Sequence, residues 1–322
     1  MATPICRQAH RVRTMLSRQP DSRWLRDYDP AIHATRTEAP RTSRPRTVFS
    51  LKLGRCLHLL SPGEEAVALI VLHNPAVFDV HEQRMLHTEP TVHPLHNHPD
   101  HARVDLPAFR GTIAAADGLG LLRHHPRFTD PETGQQVPLP YVGDLLVFLQ
   151  DEEGPHAINL NIKWQEVDFK RRGPGLFPRP RLAEDEGAKA RLAIEEAYYA
   201  DAGIRSVRIA AGAIHSEVRS NLHRLLLWHC RPIDLSPAVT AELIGYFERQ
   251  IGTHNACWSL IQAGARRMRI SDYTAKTVLF QAIWNRVLDV DLYKPILMDC
   301  PLQRATRDAL HEYRHWFERT PT

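Results

Sequence analysis

Asp144 and the tripeptide Asn161-Ile162-Lys163 lie on two strand-like segments, Tyr141 to Gln150 and His156 to Trp164, joined by the turn-forming run Asp151-Glu152-Glu153-Gly154-Pro155. A hairpin over this stretch brings a carboxylate, an amide and an ammonium together. Strand side chains alternate, so Asn159, Asn161 and Lys163 fall on one side and Ile158, Leu160, Ile162 and Trp164 on the other. The first face is expected to carry chemistry and the second the core. Oxygen donors for a divalent cation beside a positive charge are what phosphodiester hydrolysis uses: the cation activates water and stabilises the leaving oxygen, while the ammonium orients the water and neutralises developing charge. Asp144 sits in the otherwise apolar Tyr141-Val142-Gly143-Asp144-Leu145-Leu146-Val147-Phe148, where an unpaired charge is costly to bury. The plainer alternatives are an arginine-paired carboxylate for Asp144 and a snorkelling surface lysine for Lys163.

A second acid comes from Ser61-Pro62-Gly63-Glu64, which reads as a helix start with Ser at the N-cap, Pro at N1 and Glu at N3, followed by Ala66, Val67, Leu69, Ile70 and Leu72. The capping box explains Glu64 without any metal, and Glu65 competes with it as a site candidate. His93, His96, His98 and His101 form H-x-x-H-x-H-x-x-H, a spacing open to zinc, but the Pro and Asp between them argue for a loop and no cysteine assists. His124-His125 is read as loop polarity.

The elements that must position these residues divide the 322-residue chain in two. Residues 1–46 are expected to be an irregular basic arm, since residues 1 to 50 hold ten arginines, no lysine and four acids. Residues 47–215 are expected to form a mixed α/β core of order helix, strand, strand, strand, helix, strand. Its helices start at Ser61 and run from about Ala183 to Ala202, its strands include Ala76 to His81 and Ile204 to Ile209, and a Pro- and His-rich insertion spans about 87–140. Residues 216–322 read as helices at Glu217 to Cys230, Ser236 to Ile251, Ala256 to Ala263 and Ser271 to Val287, a short strand at Leu288 to Leu292 and a last helix around Ala309 to Arg319. That pattern suits a winged-helix-like unit.

Hydrophobic content of 43% and charged content of 24% are those of a soluble globular protein, and the run Ala66 to Leu72 is too short to span a bilayer. The N-terminal residues lack the apolar stretch of a secretory signal, and the five scattered cysteines suggest a reducing cytosol without structural zinc. Beyond the arginine-rich start, a second basic cluster comprises Lys170, Arg171, Arg172, Arg179 and Arg181. Such clusters around an acidic site suit a polyanion, although solvated arms give the same pattern.

Taken together, the run from Thr47 to Ala66, with Ser50-Leu51-Lys52-Leu53-Gly54-Arg55 and then Leu59-Leu60-Ser61-Pro62-Gly63-Glu64-Glu65-Ala66, resembles the opening of the TnsA transposon endonucleases. The strand ending His81-Glu82-Gln83, the aspartate Asp144, and Ile194-Glu195-Glu196-Ala197-Tyr198-Tyr199 ahead of Gly203-Ile204 are similar to later family segments in the same order, over roughly residues 24 to 215. The resemblance implies a restriction-endonuclease-like fold with Glu64, Asp144, Asn161 and Lys163 as catalytic residues. Glu64, Asp144 and Asn161 would hold Mg²⁺, for which Mn²⁺ can substitute. Asn161 stands where the family has a longer Gln or Glu, and as a neutral amide it offers a carbonyl oxygen but no charge. The implied activity is cleavage of double-stranded DNA at the 5′ ends of a prokaryotic cut-and-paste transposon. The implied partners are a TnsB-like DDE transposase and a TnsC-like AAA+ regulator, in the cytoplasm on the nucleoid and without a membrane role. Two other readings stay open: a non-catalytic nuclease-fold protein docking transposase to regulator, and a stand-alone nuclease of restriction or repair type.

Overall fold

The computed structural model describes residues 4–103, 105–171 and 184–319. The chain is a mixed α/β protein and separates into two compact units. The first comprises residues up to Val67, Ala76–Ala213 and the segment from Trp316; the second comprises Ala68–Pro75 and Ile214–His315.

The first unit is built on a four-stranded sheet of β3 (Val77–Glu82), β8 (Leu145–Asp151), β9 (Gly154–Lys163) and β10 (Arg205–Ala210), in the order β10-β9-β8-β3. β3, β8 and β9 run antiparallel in sequence, and β10 lies parallel to β9. The expected hairpin is present and tighter than anticipated, with Asp151 paired to Gly154 and the glycine in left-handed conformation at φ 105°. The expected strand Tyr141 to Gln150 is interrupted: β7 (Tyr141–Val142) pairs with β4 (Met85–Leu86), and Gly143 and Asp144 sit in the gap before β8. A smaller hairpin of β1 (Arg46–Ser50) and β2 (Arg55–Leu59) precedes α2 (Pro62–His73), while α4 (Glu186–Asp201) lies between β9 and β10 in sequence. Ala183, where that helix was expected to start, lies outside the described residues.

The alternation expected of β9 holds, but the division into a chemical and an apolar face does not. Asn159 and Asn161 are as buried as Ile158, Leu160 and Ile162, whereas Trp164 is exposed. The reason is a second layer over the polar face: Leu146 opposite Asn159 joins Phe148, Ala157 and the α4 residues Ile194, Tyr198 and Tyr199 in one cluster.

Two further expectations are corrected here. Residues 1–46 are no irregular arm, because Pro4–Arg18 forms α1, whose Ala9, Val12 and Met15 pack with Ala31, Met85 and Phe128. The spacing of three places them on one helical face, a stripe masked by the surrounding arginines. Downstream, Leu25 N–H donates to Asp79 and the Tyr28 hydroxyl to the Glu82 carbonyl, which ties this segment to β3. The residues 87–140 contain α3 (Thr112–Gly118) and the hairpin β5 (Arg127–Thr129) and β6 (Gln136–Pro138). Leu95, Phe109, Ala115 and Ala116 from this stretch belong to the same cluster as α4, so it is part of the core.

The second unit is helical, with α5 (Ser216–Leu226), α6 (Pro237–Gln250), α7 (Cys257–Met268) and α8 (Asp272–Trp284) burying Leu222, Leu243, Phe247, Ile261 and Phe280. Ser236 and Ser271 cap α6 and α8 through their hydroxyls, and the turn before α8 carries Arg269 in left-handed conformation. The expected strand Leu288 to Leu292 forms no ladder beyond an isolated bridge of Val290 with Arg304, so a wing strand is not made among the described residues. The expected last helix is reduced to α9 (Ala309–Glu312) and one turn at Arg314–Trp316. Asp308 caps the start of α9, its carboxylate accepting Leu310 N–H at 2.9 Å.

Because Met15 is 2% exposed, Met15→Ala is expected to destabilise the protein by about 2–5 kcal/mol in denaturant unfolding. An unchanged midpoint would return residues 4–18 to the status of a solvated arm.

Candidate active site

Glu64 stands in the first turn of α2, and the capping box read from the sequence is half made: Ser61 receives Glu64 N–H, but the Glu64 side chain takes Leu60 N–H and the Ser61 hydroxyl rather than Ser61 N–H. Glu64 N–H donates to the Ser61 hydroxyl at 3.1 Å, and that hydroxyl donates to Glu64 Oε1 at 2.8 Å. Two further donors reach Oε2: Leu60 N–H at 2.8 Å and the Gln83 side-chain amide at 2.9 Å. A carboxylate has about four lone-pair sites, so these three bonds leave one open. Burial, reinforced by the Asp144 charge, holds the Glu64 carboxyl well above the usual carboxylate range, while the Leu60 and Ser61 bonds and Lys163 pull the other way. Glu65 is engaged elsewhere, in an ion pair with Arg46.

Asp144 owes its place to the interruption between β7 and β8. Gly143 lies close under α4: a Cβ there would sit 3.3 Å from Glu195 Oε1, a tight approach, and 3.4 Å from the Tyr199 hydroxyl, an ordinary contact. Asp144 Oδ2 accepts Ile162 N–H at 2.7 Å and lies 3.6 Å from Lys163 Nζ. One place beyond the Leu145–Leu160 pair, Asp144 comes level with Asn161. The hairpin therefore brings carboxylate, amide and ammonium together, and the half-exposed Lys163 faces Asp144 rather than an arginine doing so. Asn161 is 4% exposed, and its Nδ2 has no hydrogen-bond partner.

Glu195 was missed as a site residue, although its segment was noted. It projects from α4 with 3% exposure, and its Oε1 has no hydrogen-bond partner. Burial, with a further push from the Asp144 charge and opposition from Arg191, raises its pKa to about 7. The available signal was a carboxylate placed four residues before Tyr199, on the flank of the apolar stripe Ala190, Ile194 and Tyr198. Gln83 was likewise read only as part of a motif; it contacts both acids, through the Glu64 carboxylate and through its own N–H donating to the Asp144 carbonyl at 3.0 Å.

The donors that a hard divalent cation could use are two carboxylates that repel one another and the Asn161 carbonyl oxygen, while the unpartnered Asn161 Nδ2 is a hydrogen-bond donor and no ligand. Among the described residues no group of three or more His, Cys, Asp or Glu side chains is arranged to hold a metal ion. A cation here would thus rest on Glu64 and Asp144 with Asn161 Oδ1 and water or backbone oxygens completing the shell. The histidine run does not converge. His93 Nδ1 accepts Leu95 N–H, and His98 Nδ1 accepts the N–H groups of Asp100 and His101, so both buried rings act as turn caps. In the second basic cluster Lys170 pairs with Glu184 at 3.5 Å, while Arg172, Arg179 and Arg181 lie outside the described residues. No protein-family model matches the chain, and no curated protein matches it.

The folded Glu195 carboxyl keeps its proton up to about pH 7, whereas the unfolded one releases it near 4.5. The folded state therefore binds the extra proton in that window, and this group's contribution to stability falls as pH rises through it, by at most about 1.4 kcal/mol per pH unit. Glu195→Gln is expected to flatten the decline in unfolding free energy between pH 5 and pH 7. A slope equal to that of the wild type would show that Glu195 is ionised across the whole range.

Proposed function

We propose that this protein is a metal-dependent DNA endonuclease that cleaves the 5′ ends of a transposon, together with a DDE transposase and an AAA+ regulator. The observation that carries the reading is the assembly of Glu64, Asp144 and Lys163 around one point of the sheet from three separate segments, with Asp144 held 3.6 Å from Lys163 Nζ. The resemblance to the TnsA endonucleases supports the transposon context and the partners, as it does the restriction-endonuclease-like character of the first unit and the DNA- or regulator-binding role of the helical second unit.

In this reading Glu64, Asp144 and Asn161 hold Mg²⁺, which supplies activation of water and stabilisation of the leaving oxygen when bound. The residues of the chain do the rest. Ile162 N–H fixes the Asp144 carboxylate by one oxygen, leaving the other oxygen's direction set by the same bond. The Lys163 ammonium, with 43% of its side chain exposed, is placed to orient an incoming water and to neutralise charge gathering on a phosphate. Arginines exposed near the start of the unit, among them Arg23, Arg26 and Arg36, offer non-specific attraction to a DNA backbone. Among the described residues no helix is long and apolar enough to cross a membrane, and the action is assigned to the nucleoid of a prokaryotic cytoplasm.

A docking role without catalysis is favoured by one observation: three donors already occupy most of the Glu64 carboxylate. Calorimetry separates the two. The endonuclease reading expects Mg²⁺ or Mn²⁺ binding that disappears in Asp144→Ala, and nicking of transposon-end DNA, with the transposase present, that needs the metal and falls by at least about 10²-fold in the same variant. Nicking by Asp144→Ala at the wild-type rate would remove Asp144 from the site. Absence of metal binding by the wild type would leave the docking role.

A further inference from the structure

Gln83 combines three features that ordinary strand residues lack. Its backbone is left-handed at φ 48°, a region that disfavours residues with a side chain, and it is 3% exposed. It occupies the break between β3 and β4, and the ladder keeps one register across that break: Glu82 pairs with Leu145 and Met85 with Val142, so Gln83 lies opposite Asp144. Three hydrogen bonds hold it there. Its N–H donates to the Asp144 carbonyl at 3.0 Å, its carbonyl accepts Ala31 N–H at 3.0 Å, and its side-chain amide donates to Glu64 Oε2 at 2.9 Å. Next to it, Gly143 N–H donates to the Arg84 carbonyl at 2.8 Å and closes the bridge.

A register without insertion needs no left-handed residue, so pairing alone does not account for the strained backbone. What the left-handed conformation does is break the alternation of side chains, and the Gln83 amide then meets a carboxylate on α2. We infer that Gln83 is a positioning residue, which sets the Glu64 carboxylate and the Asp144 backbone in fixed relation so that both can meet one cation. The kinetic half of this inference rests on the nuclease reading, whereas the metal-holding half does not.

The test uses the full chain and calorimetric Mn²⁺ binding. Gln83→Gly relieves the backbone and removes the amide; Gln83→Asn tolerates a left-handed backbone but is one methylene too short to reach Glu64. Thermal melting close to that of the wild type is expected for both, which a purely structural loss would not give. Mn²⁺ affinity is expected to fall about 10-fold in both variants. Mn²⁺-dependent nicking by the variants is expected to fall about 10- to 100-fold in kcat at unchanged KM for DNA. An Mn²⁺ affinity that does not change overturns the inference, whatever happens to nicking. Weakened binding with undiminished nicking, in a wild type that nicks, overturns its kinetic half. Weakened binding in a protein whose wild type binds Mn²⁺ but does not nick supports the positioning by Gln83 and overturns the nuclease reading instead. A wild type that binds no Mn²⁺ overturns both.

Discussion

A carboxylate taken out of water must be met by charge or hydrogen bonds, or it holds its proton. Among the described residues the first unit buries four of them, Asp79, Glu82, Glu64 and Glu195, and its organisation follows from how each is met. Glu82 receives both guanidinium nitrogens of Arg55 at 2.8 and 2.9 Å and also His58 N–H, so one residue fastens the β1–β2 hairpin to β3. Asp79 accepts Leu25 N–H and its neighbour Val80 N–H at 2.7 Å each, and lies beside His81, which anchors the N-terminal segment. Removing one partner from such a set leaves an uncompensated buried charge, the costly direction of change. These two acids are structural because their partners are complete.

Glu64 and Glu195 differ in kind. Each is buried, each is disfavoured further by the Asp144 charge, and Glu195 keeps an oxygen without a partner. Strongly perturbed acids gathered around one residue are the usual mark of a site, while a fold seeking only stability would place apolar groups there. Asp144 itself is reached from both sides, by Ile162 N–H on β9 and by Gln83 N–H donating to its carbonyl. At the strand break Gly143 packs closely against Glu195 of α4, which a Cβ would approach to 3.3 Å.

Much of this was legible locally. The Ser61-Pro62-Gly63-Glu64 signature announced the start of α2, and the turn residues and alternation after Tyr141 announced the β8–β9 hairpin, because both patterns act over a few neighbouring residues. Pairing within that hairpin also sufficed to bring Asp144, Asn161 and Lys163 together. Other features were hidden by composition. Arginines around Ala9, Val12 and Met15 obscured a helical stripe, and prolines and histidines around Phe109 and Ala115 obscured a stretch of core. The spacing of His93 and His98 was open to zinc while the Pro and Asp between them argued for a loop, and in the fold their rings serve backbone N–H groups.

By itself the sequence determined the start of α2, the β8–β9 hairpin and its local register, and Asp144 and Lys163 as candidates, since each rests on near-neighbour chemistry, while Glu64 and Asn161 entered the set through the family resemblance. Only the tertiary structure decided that the polar face of β9 is covered, that Glu195 comes against Gly143, and that a left-handed Gln83 joins α2 to Asp144. These are contacts between segments far apart in the chain. Burial and desolvation, which set their electrostatics, are properties of the packed assembly and leave no period in a linear sequence.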